Sequence, residues 1–327
     1  MNPLPHPDIE VLLAAKSRLD AGEEVILVTV AQTWGSAPRP AGSLAAITSN
    51  GEIFGSVSGG CIEEDLLDSL RKREGQTDFP RLLRYGVSRE EASRFGLPCG
   101  GELVLVLERL CDTVTLAPLL KQLQNRRQVI RRLHVESGKV ELFPAPPNAA
   151  DLQWDGRKLE KRFGPNWRML LIGAGQLSRY VAQIALTLDY EVVICDPREE
   201  YASSWRMEGV RFDPRMPDDA AAALADDACS AVIALTHDPR LDDMALMTAL
   251  DSRAFYVGAL GSRRTQSARR QRLAMLGVSK RGIARLRGPV GLPIGSRTPA
   301  EIAVAILAEL TAERHGIRLR PDDGLSP

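Results

Sequence analysis

The chain has 327 residues, 44% of them hydrophobic and 26% charged, which fits about two globular domains, each with room for its own core. Forty-two basic side chains balance forty-two acidic ones, so no global field recruits nucleic acid or an anionic membrane. The longest apolar runs, Leu103–Leu107 and Ser230–Leu235, are strand-sized and far short of the roughly 20 residues of a membrane-spanning helix.

The opening MNPLPHPDIE lacks the charged lead and apolar stretch of a secretory signal, so the expected location is the cytoplasm. Periodicity then predicts a helix over Pro7–Asp20, with Ile9, Leu12, Leu13, Lys16 and Leu19 at helical spacing. Strands are expected at Glu24–Ala31, Ser43–Thr48 and Glu52–Ser56, the last two joined by the hairpin signal Asn50-Gly51. A second helix is predicted from about Gly60 to Arg73, because Ile62, Leu66 and Leu70 share one face; Cys61 falls in its first turn. Leu103–Leu107 reads as a strand buried on both faces. Pro144-Ala-Pro-Pro-Asn148 breaks every period, so residues 1–148 are expected to form an N-terminal α+β domain and 149–166 a linker or crossing segment.

Residues 167–327 alternate between strands (Arg168–Ile172, Glu191–Cys195, Ala231–Leu235, Ala254–Val257) and helical patterns, which predicts a Rossmann-like parallel sheet covered on both faces. The fold class is therefore α/β. Thr298-Pro299-Ala300-Glu301 marks the start of a final helix by N-cap, proline and capping box, with Ile302, Ile306 and Leu310 on its buried face.

Gly173-Ala-Gly175-Gln-Leu-Ser178 follows a strand and opens a helix, the context of a dinucleotide fingerprint. Gly173 permits the tight turn and Gly175 lets a phosphate approach the helix N-terminus, although Ser178 replaces the usual third glycine or alanine. Asp196 ends the next strand, where an acidic side chain usually meets a ribose hydroxyl. Asp196-Pro-Arg198, Thr236-His237-Asp238 and Gly261-Ser-Arg263-Arg264 all follow apolar strands and should gather at the carboxyl edge of the sheet. Arg263 and Arg264 suit a phosphate, or else form a solvated first turn.

Two cysteines stand apart from Cys111, Cys195 and Cys229, which read as inert residues. They occupy mirror-image glycine settings, Gly59-Gly60-Cys61 and Cys99-Gly100-Gly101, where a bulky ligand could reach both thiol and backbone N–H groups. The helix dipole favours a Cys61 thiolate, whereas Glu63, Glu64 and Asp65 oppose it. No Cys-x-x-Cys pair and no His-x-x-x-His spacing is present, which disfavours a disulfide framework, structural zinc or a conventional protein-bound metal site. Arg39 lies in the rigid loop Trp34-Gly-Ser-Ala-Pro-Arg-Pro-Ala-Gly42, as a turn residue or an anion contact.

At these segments, and at Phe255–Arg264 and Gly288–Glu301, the chain resembles the XdhC/CoxI family, the maturation factors of molybdenum hydroxylases such as xanthine dehydrogenase. The resemblance spans nearly the whole chain, with Gln176 at a position where the family often has His. It implies a chaperone that binds the molybdenum cofactor, as molybdopterin or its cytosine dinucleotide, supports its sulfuration and passes it to an apo molybdenum hydroxylase. A cysteine desulfurase would supply the sulfur, and the resemblance suggests a homodimer. Little turnover chemistry of the chain's own is implied.

Combined with the residues, this gives an expected site in which Cys61 and Cys99, the candidate reactive residues, either ligate the cofactor's molybdenum, relay sulfur to it or only line the wall beside it, with Gly59, Gly60, Gly100 and Gly101 around them, and Gly173, Gly175, Arg263 and Arg264 take its phosphate or nucleotide end. Arg39, Asp196, Arg198 and His237 complete the candidate set. The cofactor is expected to bridge the domains, or alternatively to lie in one. The other readings are an NAD(P)- or flavin-dependent oxidoreductase, with His237 as its general acid, and a non-catalytic interaction scaffold.

Overall fold

The computed structural model describes residues 7–34, 39–71, 79–86, 102–146 and 149–317, with Cys61, Ser203 and Ser204 described by backbone alone. The chain falls into two units, Pro5–Pro165 and a second beginning at Asn166.

In the first unit, α1 (Pro7–Asp20) precedes β1 (Val25–Trp34), β2 (Leu44–Thr48), β3 (Ile53–Gly55), α2 (Cys61–Arg71), β4 (Arg81–Tyr85) and β5 (Glu102–Leu110). These strands form an antiparallel sheet in the order β3-β2-β1-β5-β4, with β2 and β3 paired across the expected hairpin. Alternation along β1 serves two cores. Val25 and Leu27 pack with α1 and with α3 (Leu116–Gln124), whereas Val28 and Val30 pack with Ile62 and Leu66 of α2. Both faces are therefore covered, and this explains why β5 reads as an unbroken apolar run.

A second antiparallel sheet follows, in the order β7-β6-β9-β8, from β6 (Val129–His134), β7 (Val140–Pro144), β8 (Leu152–Trp154) and β9 (Lys158–Phe163). The stretch 149–166, expected to be a linker or crossing segment, thus contains two paired strands. Its alternation is hard to read because Lys161 takes an inward position between Leu159 and Phe163; it is buried and paired with Asp8 at 2.8 Å.

The second unit runs β10 (Arg168–Ile172), α4 (Gln176–Thr187), β11 (Glu191–Cys195), α5 (Glu199–Ser204), β12 (Val210–Asp213), α6 (Pro217–Leu224), β13 (Ser230–Ala234), α7 (Pro239–Asp251), β14 (Tyr256–Ala259), α8 (Arg263–Met275), α9 (Lys280–Arg285), β15 (Leu286–Arg287) and α10 (Pro299–Arg314). Its sheet is wholly parallel, in the order β12-β11-β10-β13-β14-β15. Leu170, Ile172 and Val232 face α6 and α7, while Met169, Leu171 and Ile233 face α4 and α10. This is the doubly wound Rossmann-like arrangement, and its strand order reverses between β10 and β13.

α10 begins with the expected capping box: Thr298 Oγ1 accepts the Glu301 N–H at 3.3 Å, and Glu301 accepts the Thr298 N–H at 2.9 Å. The helix buries a broader face than Ile302, Ile306 and Leu310, adding Ala303, Ala305 and Leu307 where it meets α4 and the sheet. Among the described residues no helix is long and apolar enough to cross a membrane.

Candidate functional site

The turn after β10 lies at the switch point. Gly173 has φ +104°, and a Cβ there would come within 2.7 Å of Thr236 Cγ2, so side chains are excluded both by backbone conformation and by the neighbouring strand end. Ser178, at the third fingerprint position, is buried and its hydroxyl donates to the Gly173 carbonyl, closing the turn. Gly175 is different. It caps α4 with φ −83°, which any residue adopts, and a Cβ there would meet nothing within 4 Å. Neither strain nor crowding requires a glycine at this point, and its effect is to leave the helix N-terminus uncovered, where an anion is favoured.

Asp196 does not present its carboxylate to the surface. It is fully buried and accepts the Ala174 N–H at 2.8 Å, Arg198 Nε at 2.8 Å, Arg198 Nη2 at 2.7 Å and the Arg198 N–H at 3.2 Å. Burial alone would raise its pKa, but the hydrogen bonds from Arg198 and Ala174 outweigh it and hold the carboxyl below its usual range. The same construction recurs along the carboxyl edge: Asp213-Pro-Arg215 follows β12 and Asp238-Pro-Arg240 follows β13, each Arg gripping its own Asp through Nε and Nη2. The tripeptide Asp-Pro-Arg is spelled identically in the sequence at all three places, 196–198, 213–215 and 238–240.

Thr236 is buried, and its N–H and hydroxyl both donate to Asp242 Oδ1, at 3.2 and 2.7 Å. Arg269 donates to Asp242 Oδ2 at 2.6 Å, to Asp243 Oδ1 at 3.2 Å and to the Leu260 carbonyl at 3.1 Å. This buried network ties the end of β13 to the end of β14. His237, Arg263 and Arg264 are exposed on the loops it anchors, the two arginines in the first turn of α8 behind the Ser262 N-cap. Sequence reasoning missed Asp242, Asp243 and Arg269, which resemble solvated helix charges until α7 and α8 are packed together.

In the first unit, the segment before α2 is organised by Glu63. Its buried carboxylate accepts the N–H groups of Val57 and Ser58 at 2.9 Å and of Gly60 at 3.0 Å, the Ser56 hydroxyl at 2.8 Å and the Ser58 hydroxyl. Burial raises its pKa, but the serine hydroxyls and backbone donors overcome this and lower it to about 2. Gly59 (φ +85°) and Gly60 (φ +124°) supply two successive positive-φ residues, so the glycine pair is needed for the turn itself. Gly59 N–H donates to Ser56 Oγ at 2.9 Å, so the N–H groups of both glycines are engaged within the turn, while the two residues themselves are exposed. Cys61 is the first residue of α2.

Arg39 is exposed. Cys99, Gly100 and Gly101 lie outside the described residues. Cys195 is buried, its pKa pushed up to about 12 by burial and by Asp213 and Asp196, as befits an inert thiol; Cys229 is also buried and Cys111 is exposed. Among the described residues no group of three or more His, Cys, Asp or Glu side chains is placed to hold a metal ion.

The architecture defines a class: an antiparallel α+β unit with a glycine-cysteine helix start, followed by a Rossmann-like unit with a glycine-rich turn at its switch point. The chain belongs to the XdhC and CoxI family, whose description matches residues 18–86, while that of the XdhC Rossmann domain matches residues 169–310. It is 28% identical over 313 residues to the molybdenum cofactor insertion chaperone PaoD of Escherichia coli strain K12, covering 93% of this chain and 88% of that protein. It is 26% identical over 322 residues to a probable xanthine dehydrogenase subunit of Bacillus subtilis strain 168, covering 90% of this chain and 95% of that protein. A crystal structure described as a xanthine dehydrogenase from Bacillus halodurans superposes with a TM-score of 0.70 at 21% identity, covering 97% of this chain and all of that one, a likeness of fold.

Proposed function

We propose that this chain is a molybdenum cofactor chaperone, which binds the cofactor, supports its sulfuration and delivers it to a xanthine dehydrogenase-type apoenzyme. The observation that carries this reading is the nearly end-to-end similarity to a protein named as a molybdenum cofactor insertion chaperone. The residues suit such a cargo. Gly175 leaves a helix N-terminus open to a phosphate, and Arg198, Arg263 and Arg264 are cations on the same carboxyl edge. In the first unit, Cys61 would offer a soft donor at a helix start to the cofactor's molybdenum; the proposal gives Cys99 the same role. The molybdenum supplies the client's redox chemistry, whereas this chain binds, orients and shields.

The reading is tested by transfer. Isolated cofactor and apo-hydroxylase are mixed under anaerobic conditions with and without the chain, in the presence of a cysteine desulfurase and cysteine. The chain should raise the rate and final yield of active hydroxylase; equal yields without it refute the delivery role. NAD(P)H fluorescence provides the contrast, since saturable NAD(P)H binding with no effect on transfer would favour an oxidoreductase.

A further inference from the structure

The end of β11 is where a dinucleotide fold normally offers a carboxylate to a ribose diol. Here that carboxylate is withdrawn: Asp196 is fully buried, with its oxygens committed to Ala174 and Arg198. Arg198, which grips that carboxylate, keeps 31% of its side chain exposed, and its guanidinium carbon lies 3.9 Å from the Tyr201 ring centroid. Asp196 uses Nε and Nη2, and among the described residues Nη1 makes no hydrogen bond. The second edge of the guanidinium, between Nη1 and Nη2, therefore presents two parallel N–H bonds, held in plane by a carboxylate and a ring. Such an edge matches two oxygens of a phosphate and has little freedom left to lose on binding.

Its location fits the turn at the switch point. The carboxylate that grips Arg198 also accepts the N–H of Ala174, between Gly173 and Gly175. Asp238, which follows β13 on the other side of β10, has its carboxyl lowered mainly by Arg240 and to a lesser degree by the charge of Arg198.

We propose that Arg198 is a specificity-determining contact of the second unit, that the group it receives is a phosphate of the cofactor's pterin or of its nucleotide tail, and that Asp196 positions the guanidinium without meeting a ribose hydroxyl. This rests on the reading of the chain as a carrier of a phosphate-bearing cofactor. It replaces the expected ribose contact with an oxyanion contact.

The test is calorimetric titration of the full chain with inorganic pyrophosphate, cytidine 5′-diphosphate and cytidine. Pyrophosphate and the diphosphate should bind and cytidine should not. Arg198→Gln should weaken both by about tenfold or more, the loss expected for charge-assisted hydrogen bonds. Arg198→Lys, which keeps the charge and loses the fork, should fall between, and serves as the reading should Arg198→Gln not fold. A diphosphate affinity well above that of pyrophosphate assigns the phosphate to a nucleotide tail; equal affinities assign it to the pterin phosphate. Wild-type affinities in both folded variants, cytidine binding as tightly as its diphosphate, or no binding of either phosphate overturns the proposal. Wild type that carries pterin while Arg198→Gln leaves phosphate affinity unchanged removes this inference alone; phosphate binding without any pterin removes the carrier reading alone.

Discussion

Glu63 reaches back from the first turn of α2 to accept the Gly60 N–H at 3.0 Å, so the residue that closes the helix start also fixes the glycine pair before Cys61. Because its folded pKa of about 2 lies below the ordinary 4.5, its stabilising contribution is complete above pH 4.5 and is lost as pH falls toward 2. Its size is on the order of 3 kcal/mol. Glu63→Gln should lower the urea midpoint at pH 7, and the gap from wild type should narrow as the titration is repeated from pH 5 down to pH 3. A gap that is constant over this range would assign the loss to packing instead of charge.

The two glycines of the β10 turn should respond differently. Gly173→Ala meets both a positive φ and Thr236 Cγ2, and should destabilise the second unit by roughly 2 kcal/mol or more. Gly175→Ala meets open space at an ordinary φ and should change stability by less than about 1 kcal/mol, while weakening pyrophosphate binding. Thermal melts and titrations of both variants check the contrast, and equal destabilisation would contradict it.

Asp242 and Arg269 form a buried pair, 1% and 3% exposed at their side chains, and burial raises the Asp242 pKa against the opposing pull of Thr236 and Arg269. Arg269→Met strands Asp242 and part of Asp243 without a counter-charge. The expected loss is about 3–5 kcal/mol, a fall of roughly 10 °C in melting temperature. Calorimetry on the purified variant measures it; a shift within about 2 °C would show that the network is dispensable.

Much of the fold was legible because its signals are local. Leu170–Ile172, Val192–Ile194 and Val232–Ala234 are apolar runs, and Thr298 with Glu301 spells a cap that the structure contains. The strands at 152–154 and 158–163 were hidden because the inward Lys161 interrupts their alternation and its partner, Asp8, is far away in sequence. The site was legible as positions and less so as roles. Gly173, Asp196 and Arg198 do collect at the carboxyl edge, but the direction of the Asp196 carboxylate depends on Ala174 and Arg198 folding around it. Likewise Glu63 reads as a charge opposing a thiolate until Ser56, Ser58 and Gly60 are seen converging on it.

If Cys61 serves the cargo as proposed, its thiol should become protected when cofactor is bound. Alkylation with iodoacetamide, followed by peptide mass spectrometry, should label Cys61 more slowly in protein loaded with cofactor than in protein purified without it. Buried Cys195, its pKa near 12, should stay unlabelled in both and acts as the internal reference. Equal labelling of Cys61 in the two preparations would place the cofactor elsewhere.

The most direct measurement of the central claim is the amount of pterin and molybdenum bound to the chain after anaerobic purification from cells that overproduce the cofactor. A cofactor carrier holds the two in equimolar amounts as wild type, with a clear loss in Cys61→Ala and in Cys99→Ala. Wild-type protein with no more pterin than an unrelated protein purified in parallel would contradict it.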